Sequence, residues 1–205
     1  MRSPEPVRTR PVRGSLRREA ARKAFHVSSV ALPLLAWLLP RPTAVAGLVA
    51  LAVVAVGVDV ARLRLRGPRY HFLRLTRTML RPHERRGLAG GTYMALAYAA
   101  AIVLFPKPIA VAGMLYNGLG DAAAALVGKR FGRRRTAWGK SWEGFAAALL
   151  VCLAVGFVVP GISPASAVAG ALVAAAVEFL PLPLDDNLRV TLGGAGAAWA
   201  AASLL

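Results

Sequence analysis

Apolar and polar positions alternate along this chain in long blocks, with neither the period-two rhythm of strands nor the one-sided stripe of surface helices. Seven apolar stretches run at about 25–40, 43–61, 89–105, 108–128, 144–160, 165–181 and 188–205. Each approaches the roughly 20 mostly apolar residues that a membrane-crossing helix needs. The first is short, and Ala20 to His26 extends it as helix toward the headgroup layer. Prolines 40, 42, 106, 108, 160 and 164 fall in the tight connections, where a missing N–H costs least. The pattern predicts an all-α integral membrane protein of about seven transmembrane helices. A basic segment, 1–24, precedes a single polytopic domain, 25–205, with loops near 62–88, 129–143 and 181–187.

Charge orients these helices. Of the 26 Lys and Arg residues, 23 lie in the N-terminal segment and the first two of those loops and one, Arg189, just past the third; the other connections hold only Arg41 and Lys107. The positive-inside rule then predicts a cytoplasmic N-terminus, three cytoplasmic loops and, with seven spans, a C-terminus outside. The expected location is the cell membrane, with chemistry on the cytoplasmic face. A cleaved signal ending at Ala44-Val45-Ala46 is the rival reading of the start, but Pro40-Arg41-Pro42 interrupts its apolar run and 43–61 is long enough to span.

Composition sharpens the class. The 205 residues are 57% hydrophobic and 17% charged, with mean hydropathy +0.54. That is too apolar for a disordered chain and too poor in charge for an ordinary soluble domain. One cysteine, Cys152, excludes a disulfide scaffold and a Cys-rich metal site. The net charge of +17 is accounted for by topology and anionic headgroups, so no nucleic-acid partner is expected. Ala-Val-Ala-Gly recurs at 44–47, 110–113 and 167–170, which reads better as close helix packing than as an ancestral repeat.

Nine acidic residues carry most of the chemical information. Asp59, Asp121, Glu143, Glu178, Asp185 and Asp186 lie within or at the ends of apolar segments, all toward the expected cytoplasmic face. A carboxylate inside a span is costly, so it pairs, faces a wet cavity or acts. Asp121 is the sharpest case. Asn117 lies four residues before it on the same helix face, while Gly120, Ala124 and Gly128 form a small-residue stripe that admits another backbone or a ligand. The helix runs into Lys129, Arg130, Arg133, Arg134 and Arg135. An acid beside dense cations suits metal-bridged phosphate: Asp121 as Mg²⁺ ligand, Lys129, Arg130 and Lys140 on phosphate oxygens. The competing reading is a buried Asp121–Arg ion pair.

Gly139-Lys140-Ser141 is not a P-loop, because position 134, five residues earlier, is Arg and no strand precedes it. Lys140 and Glu143 are three apart at the start of the fifth apolar stretch, one able to bind phosphate and the other to order it or bind metal. Asp59 and Arg62, also three apart, read equally as an intrahelical ion pair or a functional pair. Asp185-Asp186-Asn187 reads equally as a helix cap or as metal ligands.

From about residue 17 onward these motifs resemble the polyprenol, dolichol and phytol kinases, with the related CTP-dependent diacylglycerol kinases. The strongest part runs from Gly120-Asp121 through Gly128-Lys129-Arg130-Phe131-Gly132 to Gly139-Lys140-Ser141-Trp142-Glu143-Gly144. This stretch resembles the family's nucleotide-binding region. Arg22-Lys23 with His26, Asp59-x-x-Arg62, Gly90-Gly91-Thr92-Tyr93 after Glu84, and Glu178 with Asp186-Asn187-Leu188 also fit. The resemblance implies phosphoryl transfer from a nucleoside triphosphate, with CTP expected and ATP possible, to a polyprenol, phytol-like alcohol or diacylglycerol. It implies catalytic roles for Asp121, Lys140 and Glu143, nucleotide contacts from Asn117, Gly120, Lys129, Arg130, Gly139 and Ser141, and support from Lys23, His26, Asp59, Arg62, Glu178, Asp186 and Asn187. Several relatives that phosphorylate dolichol carry extra N-terminal spans, so the lipid stays open. Phosphatidate cytidylyltransferases share a similar Gly-Asp stretch, but their late Gly-His-Gly-Gly has no counterpart here, where the histidines are 26, 71 and 83. A small transporter is the alternative from another class, although its charges belong near the midplane and these gather at one face.

Overall fold

A computed structural model describes residues 28–76 and 83–204. The basic segment 1–24, with Lys23 and His26, lies outside the described residues. The described chain is helical throughout; its sole β feature is an isolated bridge between Arg135 and Ser141. The helices are α1 (Ala31–Leu38), α2 (Arg41–Arg64), α3 (Arg66–Thr76), α4 (Gly90–Leu104), α5 (Lys107–Leu115), α6 (Asp121–Arg130), α7 (Trp142–Val158), α8 (Pro164–Phe179) and α9 (Asp186–Ser203). A π-helical turn, Tyr116–Gly120, fuses α5 and α6 into one rod, and a 3₁₀ turn, His83–Arg85, precedes α4.

Each of the seven apolar stretches carries a helix. By length and composition, two helices among the described residues are long and apolar enough to cross a membrane: α2 and the α5–α6 rod, each of 24 residues. At 1.5 Å per residue each is about 36 Å long, beyond the roughly 30 Å of a hydrocarbon core. α4, α7 and α8 are shorter apolar helices. Leu34, Val53, Val54, Leu104, Leu150 and Val158 point outward and are more than half exposed, the surface that lipid rather than water accommodates. The described part of the segment expected as a loop at 62–88 is largely helical. α2 continues to Arg64, and α3 and the 3₁₀ turn follow, because the segment's polarity removed it from the membrane pattern without removing its helix-forming residues.

The termini explain themselves locally. Pro42, Pro108 and Pro164 occupy the first turns of α2, α5 and α8. Ser141, Ser163 and Asp185 cap α7, α8 and α9, accepting from the N–H groups of Gly144, Ser166 and Asn187. The two basic residues that break the charge asymmetry also cap helices. Lys107 Nζ donates to the carbonyls of Trp37, in the last turn of α1, and Leu39, just past it, and Arg41 to that of Phe105 at the end of α4. Terminal carbonyls lack intrahelical donors, so a cation there serves the backbone.

The last helix organises the bundle: α9 packs on α8, α4 and α5, while α7 packs between α6 and α8. The interior is built of small residues, with Ala97, Ala101, Ala110, Ala112, Ala167 and Ala171 all fully buried. Two glycines of the recurring tetrapeptide sit at tight crossings with α9. A Cβ on Gly113 would meet Thr191 O at 2.7 Å, and one on Gly170 would meet Gly194 O at 3.0 Å. Gly47 faces open space, so the tetrapeptide has no common structural role. Tyr116, wholly buried in the π turn, presses its ring into a seat formed by Gly170 of α8 and Gly194 of α9, with its hydroxyl against Gly156 of α7.

Candidate active site

One end of the bundle gathers the termini of four helices: the C-terminal ends of α6 and α8 and the N-terminal ends of α7 and α9. Between them lies a cavity of about 260 Å³. Asp121, Glu178 and Asp186 reach it from three different helices, and Lys129, Arg135 and Lys140 from the end of α6 and the following loop. Ala124, Ala125, Gly128, Gly144 and Ala175 form its small-residue walls, and Phe145 and Phe179 its aromatic one.

The loop between α6 and α7 is folded tightly enough to aim Lys140. Thr136 N–H donates to Lys140 O (2.8 Å), Gly139 N–H to Thr136 O (3.0 Å) and Trp142 N–H to Arg134 O (3.0 Å). Gly139 has φ +88°, a left-handed conformation that a Cβ would strain, and Lys140 follows directly. Arg135 closes the loop by donating to Gly139 O (3.1 Å) and to Gly128 O (2.9 Å) near the end of α6. Beyond the turn, Lys140 Nζ forms an ion pair with Glu178 Oε1. Glu178 is only 4% exposed, and its Oε2 is buried with no hydrogen-bond partner among the described residues.

α8 and α9 are locked together at the cavity rim. Arg189 forms an ion pair with Asp186 and donates to Val177 O (3.0 Å) and Leu180 O (2.9 Å), while Trp138 Nε1 donates to Phe179 O (2.9 Å). The α8 terminus, which holds Glu178 and Phe179, is thereby fixed by side chains from two other segments. The small-residue stripe on α6 meets α7: a Cβ on Gly120 would meet Cys152 Sγ at 2.8 Å, and one on Gly128 would meet Ser141 Oγ at 2.8 Å. Contact this close brings Asp121 and the start of α7 to one cavity.

Of the residues singled out from sequence, Asp121, Lys129, Gly139, Lys140, Ser141, Glu178 and Asp186 line this cavity. The other candidates among the described residues lie elsewhere. Asn117, buried in the π turn, donates to Asn187 Oδ1 (3.1 Å), and Asn187 donates to Gly90 O (3.2 Å), tying the α5–α6 rod, α9 and α4 together. Gly120 is a packing contact with Cys152. Arg130 lies over the Phe131 ring and, with Arg133 and Glu143, borders a separate surface hollow. Glu143 accepts from Arg134 N–H (3.1 Å), so its carboxylate orders the loop. That bond, with those of its own and Arg133's N–H, holds its pKa below the ordinary carboxylate value, its own N–H contributing most.

Asp59 and Arg62 are buried as an ion pair. Arg62 also donates to Glu84 O (3.1 Å) and Gly87 O (2.7 Å) and covers the Phe72 ring at 4.6 Å, while Asp59 accepts from Ala89 N–H (2.8 Å). The pair fastens the segment before α4 to α2. Arg135, Phe145 and Phe179 were not singled out from sequence as site residues. Arg135 was one of five neighbouring cations, and only the loop's turn distinguishes it; the two phenylalanines looked like ordinary apolar span residues.

Among the described residues, no three His, Cys, Asp or Glu groups come close enough to hold one metal ion by themselves. Mg²⁺ does not require such a cluster, because it is bound through one or two carboxylates plus substrate phosphates rather than in an all-protein cage.

No protein-family model matches the chain, and no solved structure does. The chain is similar to an uncharacterised protein of Rickettsia prowazekii, 29% identical over 184 residues, covering 85% of this chain and 90% of that protein. It is also similar to a phytol kinase of Synechocystis sp., 32% identical over 204 residues, covering 91% of this chain and 81% of the relative. With that identity sustained over nearly its whole length, the chain belongs to the phytol/polyprenol kinase-like family.

Proposed function

We propose that this protein is a membrane lipid-alcohol kinase. It transfers the terminal phosphoryl group of a nucleoside triphosphate, CTP by preference, to a phytol-like alcohol, a polyprenol or a diacylglycerol. The cavity at the joined ends of α6, α7, α8 and α9 carries this reading, because one small space combines a buried acid, two half-buried ones, loop cations and an aromatic wall. The bundle end bearing the cavity is the cytoplasmic one in this proposal, with the chain crossing the membrane seven times.

Phosphoryl transfer needs positioning and charge neutralisation more than covalent help from the protein. Lys129, Arg135 and Lys140 would take the phosphate oxygens, aided by the positive N-terminal end of α7. Arg130 and Glu143 serve at one remove, the first at the surface hollow and the second by holding the loop. Asp121 would hold Mg²⁺, which when bound offsets the charge of the phosphates. The step forms an O–P bond from the hydroxyl oxygen. It breaks the P–O bond to the nucleoside diphosphate, which leaves with the electron pair, and the hydroxyl proton passes to solvent.

The test is transfer of ³²P from γ-labelled CTP or ATP to phytol, geranylgeraniol or dioleoylglycerol, in membranes with and without the protein. Labelled phospholipid only in its presence is the expected result. No transfer from either nucleotide to any alcohol, or formation of a CDP-lipid from added phosphatidate, refutes the kinase reading.

A further inference from the structure

Glu178 is the group that the phosphate-binding account leaves unused. It lines the cavity, is 4% exposed, gives Oε1 to Lys140 and leaves Oε2 buried without a partner among the described residues. An ionised carboxylate only accepts hydrogen bonds, so a phosphate oxygen cannot satisfy it and is repelled by it. A hydroxyl is a donor that can satisfy it. Leaving such an acceptor unpaired costs free energy, which a bound hydroxyl recovers.

Phe179 follows Glu178 on α8, and Ala175 lies one turn before Phe179 on the same face. Both line the cavity with Phe145 of α7. The Phe145 and Phe179 rings are 5.2 Å apart, and Trp142, which is 54% exposed, packs at a tilt against Phe179 at 4.8 Å. An apolar path therefore runs from the carboxylate past two phenylalanines to an indole at the outer surface. Tryptophan is the side chain that favours the boundary between headgroups and hydrocarbon.

We propose that Glu178 and this aromatic wall form the acceptor subsite, in which the hydroxyl of a single-chain lipid alcohol donates to Glu178 Oε2 and its first carbons lie against Phe145 and Phe179. This rests on the kinase reading and narrows its substrate class. The cavity of about 260 Å³ must take a terminal phosphate together with the lipid's hydroxyl end, so a slim primary alcohol fits it more readily than the ester-flanked glycerol of a diacylglycerol.

Initial rates of the full-length protein in detergent micelles, varying geranylgeraniol at saturating nucleotide and the reverse, test the proposal. Glu178→Gln exchanges a charge-assisted hydrogen bond for a neutral one. It should lower kcat/KM for the alcohol about 10-fold, with the nucleotide KM within twofold of wild type. Phe145→Ala removes the apolar contact and should raise the alcohol KM on the order of 10-fold, again sparing the nucleotide. Dioleoylglycerol should be the poorer acceptor. The proposal is overturned if wild type transfers phosphate while both variants keep the alcohol parameters. It is equally overturned if Glu178→Gln raises the nucleotide KM instead, or if dioleoylglycerol is preferred. Wild type that phosphorylates no alcohol refutes the kinase reading itself, and the subsite with it.

Discussion

Replacing Arg62 by methionine separates a structural from a catalytic reading of the Asp59–Arg62 pair. The substitution preserves a long flexible stem and deletes the guanidinium. Asp59, 1% exposed, loses its counter-charge and, among the described residues, keeps the Ala89 N–H alone. The carbonyls of Glu84 and Gly87 lose their donors, and Phe72 loses its cation. Breaking a buried ion pair from one side costs about 3–5 kcal/mol, because a desolvated charge remains. For a chain of this size that corresponds to a fall of roughly 6–20 °C in melting temperature. The double substitution Asp59→Asn with Arg62→Met removes both charges and should recover a good part of the loss, since the stranded carboxylate is the main penalty. The assay is thermal unfolding of purified protein in detergent, with transfer activity measured well below the transition. The reasoning predicts lost stability with activity tracking the folded fraction. A variant that melts like wild type and yet transfers no phosphate would refute it and return Arg62 to the chemistry.

Three further outcomes follow from the same geometry. Asp121→Asn keeps size and polarity but removes the charge proposed to hold Mg²⁺, so transfer should fall on the order of 10²–10³-fold with unchanged melting; near-normal turnover across a Mg²⁺ titration would remove Asp121 from the site. Gly194→Ala places a Cβ 2.8 Å from Tyr116 Cδ2 and 3.0 Å from Ala174 Cβ, so it should destabilise by about 1–3 kcal/mol, whereas Gly47→Ala, with nothing within 4 Å, should not lower the melting temperature. On a Cys152→Ser background, a cysteine at position 133 should react only from the cytoplasmic side and one at 107 only from the opposite side; labelling of both from one side would dismantle the proposed orientation.

Hydropathy and charge alone determined that the chain is helical, where its apolar segments lie and which residues deserved attention. These properties are written in runs of neighbouring residues, and a run of 18 or more apolar side chains has few alternatives to a helix. Asp121, Lys140 and Glu178 were legible because acids and isolated cations in such surroundings are conspicuous. Their mutual geometry was not, since Lys140 and Glu178 are 38 positions apart and meet only through the turn at Gly139 and the packing of α7 on α8. The tertiary structure also decided roles that spacing left open. Asp59 and Arg62 hold the segment before α4, Asn117 bridges to Asn187 across a π turn that no local pattern announces, and Glu143 steadies the loop from outside the cavity. Phe145 and Phe179 could not be told from lipid-facing residues by composition, because an apolar side chain looks the same in sequence whether it meets lipid, a core or a substrate. Which of these it meets depends on the face it presents, and that is set by contacts between helices distant in the chain.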